Sequence, residues 1–211
     1  MVNKKAIAIV ANINFGKWYR ENRDVICCNL ISYSFLKEKF FAPSDFSKDM
    51  TFKTKFNRFY LKRIDDGIRE IFYSRMKSLK GTNSYKCQDT FGFVNNEIQS
   101  IRDELVEKRM KEKYYLSYTT KCLNMIDDTK FPIYDRYVYM VFRDKDKSLT
   151  DPLDVYKSII KTYEELRCDE CIQLIKNKLP NDCGNIGYMK ILDTIFWIKG
   201  SELLSKKTNN T

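Results

Sequence analysis

The 211-residue sequence contains no histidine, only seven glycines and four prolines, and no run of about 20 apolar residues. So few turn-formers argue against a turn-rich β-sandwich and for long helices. Without a long apolar run the chain is not expected to span a membrane. The opening KKAIAIVA is too short for the apolar core of a signal peptide and has no cleavage site. Alternating strand patterns are nearly absent, and there is no internal repeat or low-complexity linker. The seven cysteines are odd in number and irregularly spaced, so they do not outline a disulfide framework. The chain reads as cytoplasmic with reduced thiols.

Apolar residues make up 43% of the chain, enough for a real core, and a chain of this length buries roughly 70% of its unfolded surface. It suits one compact all-α domain, or two small lobes. Basic residues outnumber acidic ones 38 to 28, a net charge of +10. That excess favours a polyanionic partner, first nucleic acid and second an anionic membrane surface. The alternative is that abundant Lys, Asn, Tyr and Ile reflect a biased genome and solvated helix faces.

Helix-spaced apolar residues recur along the chain. Val25, Cys28, Leu30, Ile31, Phe35 and Leu36 mark one helix, ending near FFAPSD. Phe56, Phe59, Tyr60, Ile64, Ile68, Ile71, Phe72, Met76 and Leu79 form a long stripe closed by Gly81. Asp89 or Thr90 opens the helix of Phe93, Ile98, Ile101, Leu105 and Val106. A short helix runs from near Thr119 to Ile126, and another follows Asp135 through Val138 to Phe142. Thr150 or Asp151 caps a helix with Pro152 in its first turn. Helices over Cys168–Leu179 and YMKILDTIFWIKG complete an all-α fold of eight to ten helices, and SKKTNNT (205–211) is expected to be a flexible tail.

Between Thr51 and Lys80 nine basic residues face three acidic ones, six of the ten excess charges. Such a segment, with aromatics on its other face, suits a phosphate backbone, or is simply a solvated helix face. A second basic run, EKRMKEKYYLSYTTK, contains Lys113 and leads into the segment LSYTTKCLNMIDDTKFPIYDRYV. Thr119 and Thr120 suit caps for a helix beginning beside Lys121, which would place free N–H groups at a phosphate-binding corner. Asp135 follows Pro132 at the start of the next helix, where a carboxylate is electrostatically favoured. Read plainly, Asp135 is an N-cap and Lys121 a surface charge.

The same segment resembles the core of the helix-hairpin-helix DNA glycosylase superfamily, the group that includes 8-oxoguanine DNA glycosylases. There a Pro-Gly-Val-Gly hairpin leads into a helix bearing the nucleophilic lysine, and a Pro-Val-Asp-x-x-Val motif carries the catalytic aspartate. Lys121 falls on the lysine position, and Pro132, Asp135 and Val138 on the second motif, with one extra residue between proline and aspartate. Ser117 and Thr119 stand where that family has its hairpin glycines, and Arg136-Tyr137 follows the aspartate. The pair SYTTK…FPIYD with the final YMKILDTIFWIKG is also similar to an uncharacterised bacterial all-α group with SFATK…YPIYDS signatures. Cys168, Cys171 and Cys183, spaced C-x2-C-x11-C, do not match the four cysteines of the superfamily's iron–sulfur branch. No metal or other cofactor is expected.

The resemblance implies a two-lobed fold with its site near 116–138, and DNA, duplex in form, as the partner. It implies a base-excision glycosylase with AP-lyase activity, in which Asp135 stabilises the oxocarbenium-like sugar and Lys121 attacks C1′. The target nucleotide must first be flipped into a pocket. Tyr118, Tyr134, Phe131 and Trp197 are the candidate walls, and Ser117, Thr119, Thr120, Lys113 and Arg136 the candidate DNA contacts. A non-catalytic DNA-binding protein of the same fold and a helical protein-interaction module are the alternatives.

Overall fold

The computed structural model describes every residue except Asn83, Cys87, 112–114, 144–150, Asp169, 179–185 and 209–211. Among the described residues the chain is all-α: ten α-helices and no strand. They are α1 (Lys4–Ala11), α2 (Phe15–Phe41), α3 (Met50–Phe59), α4 (Asp66–Lys80), α5 (Thr90–Glu107), α6 (Leu116–Ile126), α7 (Arg136–Phe142), α8 (Pro152–Glu165), α9 (Glu170–Lys178) and α10 (Tyr188–Thr208). Contacts divide the chain into a terminal unit, Met1–Ser34 with Pro132–Thr211, and a central unit, Phe35–Phe131. No described helix is long and apolar enough to cross a membrane.

The central unit packs α4, α5 and α6 against one another. Beside them Phe40, Phe46, Phe52, Phe56 and Tyr73 form a connected ring cluster, with centroid separations from 4.6 Å (Phe40–Phe46) to 6.5 Å (Phe52–Tyr73). Asp49 opens α3 by accepting from the Thr51 and Phe52 amides at 2.8 and 3.0 Å, satisfying two donors the helix leaves free.

The long stripe expected from Phe56 to Leu79 is two helices. The chain leaves α3 at Phe59 and re-enters α4 at Asp66, with Arg63 in the left-handed region at φ 65°. Leu61 and Ile64, within this turn, are both buried. A helical period therefore continues through a non-helical turn, because the turn aims its apolar residues into the same core. Gly81 does follow α4, but at φ −83°, so it is not the left-handed cap that favours glycine.

In the terminal unit α10 packs along α7 and α9, with α8 and α1 against α7. Every residue from Ile186 to Phe196 is buried, so the first half of α10 is a core helix enclosed on all sides. Asn3 ties the unit together: its side chain caps α1 by accepting from Ala6 N–H and donates to Phe142 O, and its backbone N–H donates to Thr162 Oγ1 at 2.9 Å. Asp151 caps α8 through the Leu153 and Asp154 amides, with Pro152 in the first turn. Gly200 marks the closest approach of α10 to α7. A Cβ there would lie 1.9 Å from the Tyr137 carbonyl oxygen.

Candidate functional site

The residues singled out by the motif divide between the units. Ser117, Tyr118, Thr119, Thr120, Lys121 and Phe131 belong to the central unit; Tyr134, Asp135, Arg136 and Trp197 belong to the terminal one. Lys113 lies outside the described residues.

In the central unit α6 begins at Leu116, earlier than the expected start near Thr119, and the amides of Tyr118 and Thr119 both donate to Tyr115 O at 3.0 and 2.9 Å. Thr119 and Thr120 therefore sit inside the helix and do not cap it. They are 2% and 0% exposed, turned to the core rather than to a phosphate. Thr120 Oγ1 donates to Ser117 O at 3.2 Å. Thr119 lines a cavity of about 10 Å³ with Cys122, Arg75 and Glu97, where Arg75 grips both oxygens of Glu97 at 2.9–3.2 Å. Burial pushes the Cys122 thiol well above its ordinary pKa, leaving an inert core group rather than a nucleophile.

Ser117, Tyr118 and Lys121 are only half-buried, and their spacing puts them on one side of α6. The Lys121 ammonium lies 5.5 Å from the centroid of the Tyr118 ring, an attractive placement for a cation. Tyr118 in turn donates its hydroxyl to Lys62 O in the α3–α4 turn at 2.9 Å. Phe131, expected as a pocket wall, is fully buried against Tyr85 and Phe93, at centroid distances of 5.9 and 5.7 Å. It is a core ring.

Two turns meet near this face. Arg63 in the α3–α4 turn and Arg109 in the α5–α6 turn are the non-glycine residues with positive φ among those described, at 65° and 53°. Met110, next to Arg109, lies against Gly67 in the first turn of α4, so close that a Cβ on Gly67 would be 2.9 Å from its terminal carbon. Arg58, Lys62, Arg63, Arg109 and Lys111 are all exposed. Of the other cations of α3 and α4, Lys53 pairs with Glu70, Arg69 with Asp66, Arg75 with Glu97 and Lys77 with Asp45, while Lys80 donates to Ala42 O and exposed Lys55 lies over the Phe35 ring. Thus four of the nine cations of the basic segment pair with carboxylates, while Lys62 and Arg63 lie exposed in the α3–α4 turn and Arg109 and Lys111 in the α5–α6 turn. Asp65 and Glu107 are the acidic neighbours in sequence.

In the terminal unit the PIYD segment, 132–135, is held along its length. Tyr156 donates its hydroxyl to Pro132 O at 3.2 Å. The Ile133 amide donates to both carboxylate oxygens of Asp193 at 3.0 and 3.2 Å. Asp135 Oδ1 accepts from the Tyr137 and Val138 amides, both at 2.9 Å, as the N-cap of α7; Oδ2 takes no part in the cap. Arg136 is exposed, while Tyr134 and Trp197 are half-buried. Tyr134 packs on Tyr139 and Tyr156, and Trp197 meets Tyr137 edge-on at 5.2 Å.

Asp193 is the residue that sequence reasoning passed over. It stands in α10, 3% exposed, and also accepts from the Tyr163 hydroxyl at 2.9 Å. Burial raises its pKa to about 8, against the opposing pull of the Lys190 charge and of the Tyr163 and Ile133 hydrogen bonds, while the Asp135 charge raises it further. Tyr156 and Tyr163 are raised well above the ordinary tyrosine value, first by burial and then by the charge of Asp193. Lys190, buried in the same helix, places its ammonium 5.0 Å from the Tyr33 ring centroid. The available signal was an aspartate inside the otherwise apolar ILDTIFWI, since a buried carboxylate needs partners.

Among the described residues no group of three or more His, Cys, Asp or Glu side chains gathers as metal ligands, and the side chains of Cys168, Cys171 and Cys183 lie outside the described set. No family model, curated protein or solved structure matches the chain.

Proposed function

We propose that this protein is a DNA base-excision glycosylase with AP-lyase activity, using Lys121 as nucleophile and Asp135 as the anionic partner of the sugar. The reading rests on the SYTTK…FPIYD resemblance. The observation that carries it is the setting of Lys121: half-buried on the Tyr118 ring, whose hydroxyl is bonded to the cationic Lys62–Arg63 turn. Exposed arginines and lysines at the two turns supply the sequence-independent attraction for phosphates. In this reading the phosphates near Lys121 are met by Arg58, Lys62, Arg63, Arg109 and Lys111 with Ser117, in place of the buried Thr119 and Thr120.

In the proposed reaction the target nucleotide first leaves the stack, and Tyr118, on the same helix face as Lys121, is the candidate surface for the flipped base. The C1′–N bond breaks, the base departs with the bonding electrons and takes up a proton, and the Asp135 carboxylate stabilises the positive charge developing on the sugar. The Lys121 ammonium, which the Tyr118 ring favours, must first give its proton to solvent; Nζ then attacks C1′, and ring opening yields a Schiff base. Loss of a C2′ proton then expels the 3′ phosphate and cuts the strand, and water releases the lysine.

The test is borohydride reduction with duplexes carrying an abasic site or 8-oxoguanine, beside Lys121→Ala. A covalent band present in the wild type and absent from the variant supports the assignment. A second reading, DNA binding without catalysis, is favoured by the use of Asp135 Oδ1 as a helix cap. It predicts salt-dependent duplex binding with neither trapping nor base release. Absence of duplex binding would remove both readings.

A further inference from the structure

The PIYD segment is held at the Pro132 carbonyl, the Ile133 amide and the Asp135 cap, and the residues that hold the first two, Tyr156 and Asp193, lie in neither motif. Pro132 has no N–H and the Phe131 amide turns back to Asp127 O, so the Ile133 amide is the first donor within PIYD. It is buried, and both oxygens of Asp193 receive it, at 3.0 and 3.2 Å. Asp193 Oδ1 also receives the Tyr163 hydroxyl at 2.9 Å. Two residues beyond Ile133 the chain presents the Asp135 carboxylate at the N-terminus of α7.

We propose that Asp193 is the positioning residue for Asp135: through the Ile133 amide and the Tyr163 hydroxyl it sets where the Asp135 carboxylate is held. This rests on the proposed base-excision reaction, in which Asp135 acts on the sugar and Asp193 touches neither sugar nor base.

Core filling does not account for an aspartate here. At 3% exposure a leucine or methionine of similar size would avoid the desolvation of a carboxyl group, but would leave the buried Ile133 N–H and Tyr163 O–H without an acceptor. Only an acceptor reaching both donors from α10 closes the network. The Asp135 charge also raises the pKa of both Asp193 and Tyr163. Tyr156, bonded to Pro132 O, holds the other side of the same peptide, so the segment is fixed against rotation as well as displacement.

Asparagine at 193 keeps an oxygen where Oδ1 stands, able to accept from both donors; alanine does not. The experiment compares wild type, Asp193→Asn, Asp193→Ala and Tyr163→Phe on the full chain, with two readouts. The first is amide hydrogen exchange of peptides spanning 131–142, which needs no activity. The second is single-turnover base release together with duplex Kd. Expected are faster exchange across Ile133–Tyr139 in Asp193→Ala, release slowed on the order of 10–100-fold with duplex Kd unchanged, recovery of both in Asp193→Asn, and an intermediate result for Tyr163→Phe. Should Asp193→Ala not fold, Asp193→Asn and Tyr163→Phe still carry the comparison. Unchanged exchange in Asp193→Ala or Tyr163→Phe overturns the inference, as does an Asp193→Asn variant with intact exchange and lost base release, which would make Asp193 a participant through its charge. A wild type inert on every duplex removes the proposed reaction and with it the assignment to catalysis, while the exchange arm separately decides whether Asp193 holds the segment.

Discussion

Gly200→Ala probes how closely α7 and α10 cross, and its cost can be worked from the geometry. The new Cβ would lie 1.9 Å from the Tyr137 carbonyl oxygen, 2.5 Å from the carbonyl carbon and 3.0 Å from Cα. All three atoms are backbone, so no side chain can swing aside. Restoring an ordinary contact of about 3.3 Å requires the helices to part by about 1.4 Å. Overpacking of this kind costs roughly 1–3 kcal/mol and sometimes more. Parting the helices also loosens the edge-on Tyr137–Trp197 pair, worth about 0.5–1.5 kcal/mol. Against this, alanine is the better helix former by about 1 kcal/mol. The net expectation is a loss of about 0.5–3.5 kcal/mol, read by urea unfolding followed by far-UV circular dichroism. Gly81→Ala is the control: its backbone is right-handed at φ −83° and the nearest atom to a Cβ is 4.0 Å away, so stability should stay within about 0.5 kcal/mol or rise slightly. If Gly200→Ala matched Gly81→Ala, the described crossing of α7 and α10 would be refuted.

Three further outcomes are expected. The folded pKa of Asp193, about 8, lies above its ordinary 3.8, so folding takes up a proton between those values. This stabilising contribution is complete below pH ~4 and is lost as pH rises through about 8, with a limiting slope of about 1.4 kcal/mol per pH unit. Asp193→Asn should lack that slope in unfolding experiments from pH 5 to 8, and parallel curves would mean that Asp193 remains charged beside Lys190. Arg63→Gly should relieve left-handed strain, changing stability by at most about 1 kcal/mol in the favourable direction, while reducing the salt slope of duplex binding by about 1. An unchanged slope would exclude Arg63 from the phosphate contacts. Asp135→Ala removes the acceptor of two α7 amides and should lose about 1 kcal/mol, whereas Asp135→Asn should keep the cap. Lost base release at unchanged melting temperature in the asparagine variant would isolate the chemical role, and a melting temperature lowered as far as in the alanine variant would contradict the cap geometry.

Local chemistry was legible wherever a residue's role depends on its immediate neighbours in the chain. The scarcity of glycine and proline and the 3.6-residue period were enough for an all-α fold, and the caps at Asp89, Asp135 and Asp151 follow from short polar side chains reaching amides two or three residues ahead. The break between α3 and α4 was not legible, because Leu61 and Ile64 keep the helical period while the backbone turns away from it. The start of α6 was misplaced for a related reason. Thr119 and Thr120 have the right chemistry for caps, yet the apolar Leu116 and the Tyr115 carbonyl draw the helix back by one turn.

Charge illustrates the same division. Composition determined that the protein is basic, but only folding decided which cations pair with Glu70, Asp66, Glu97 and Asp45 and which stay exposed at the Arg63 and Arg109 turns. Asp193 is the clearest case. An aspartate inside ILDTIFWI is visible in the sequence, and its burial could be suspected from its neighbours. Its partners, the Ile133 amide and the Tyr163 hydroxyl, lie 60 and 30 residues away. Hydrogen bonds act over about 3 Å of space whatever the distance along the chain, so the sequence alone determined the all-α class and the caps at Asp89, Asp135 and Asp151, while the tertiary structure decided where the chain breaks between α3 and α4 and which carboxyl group receives the Ile133 amide.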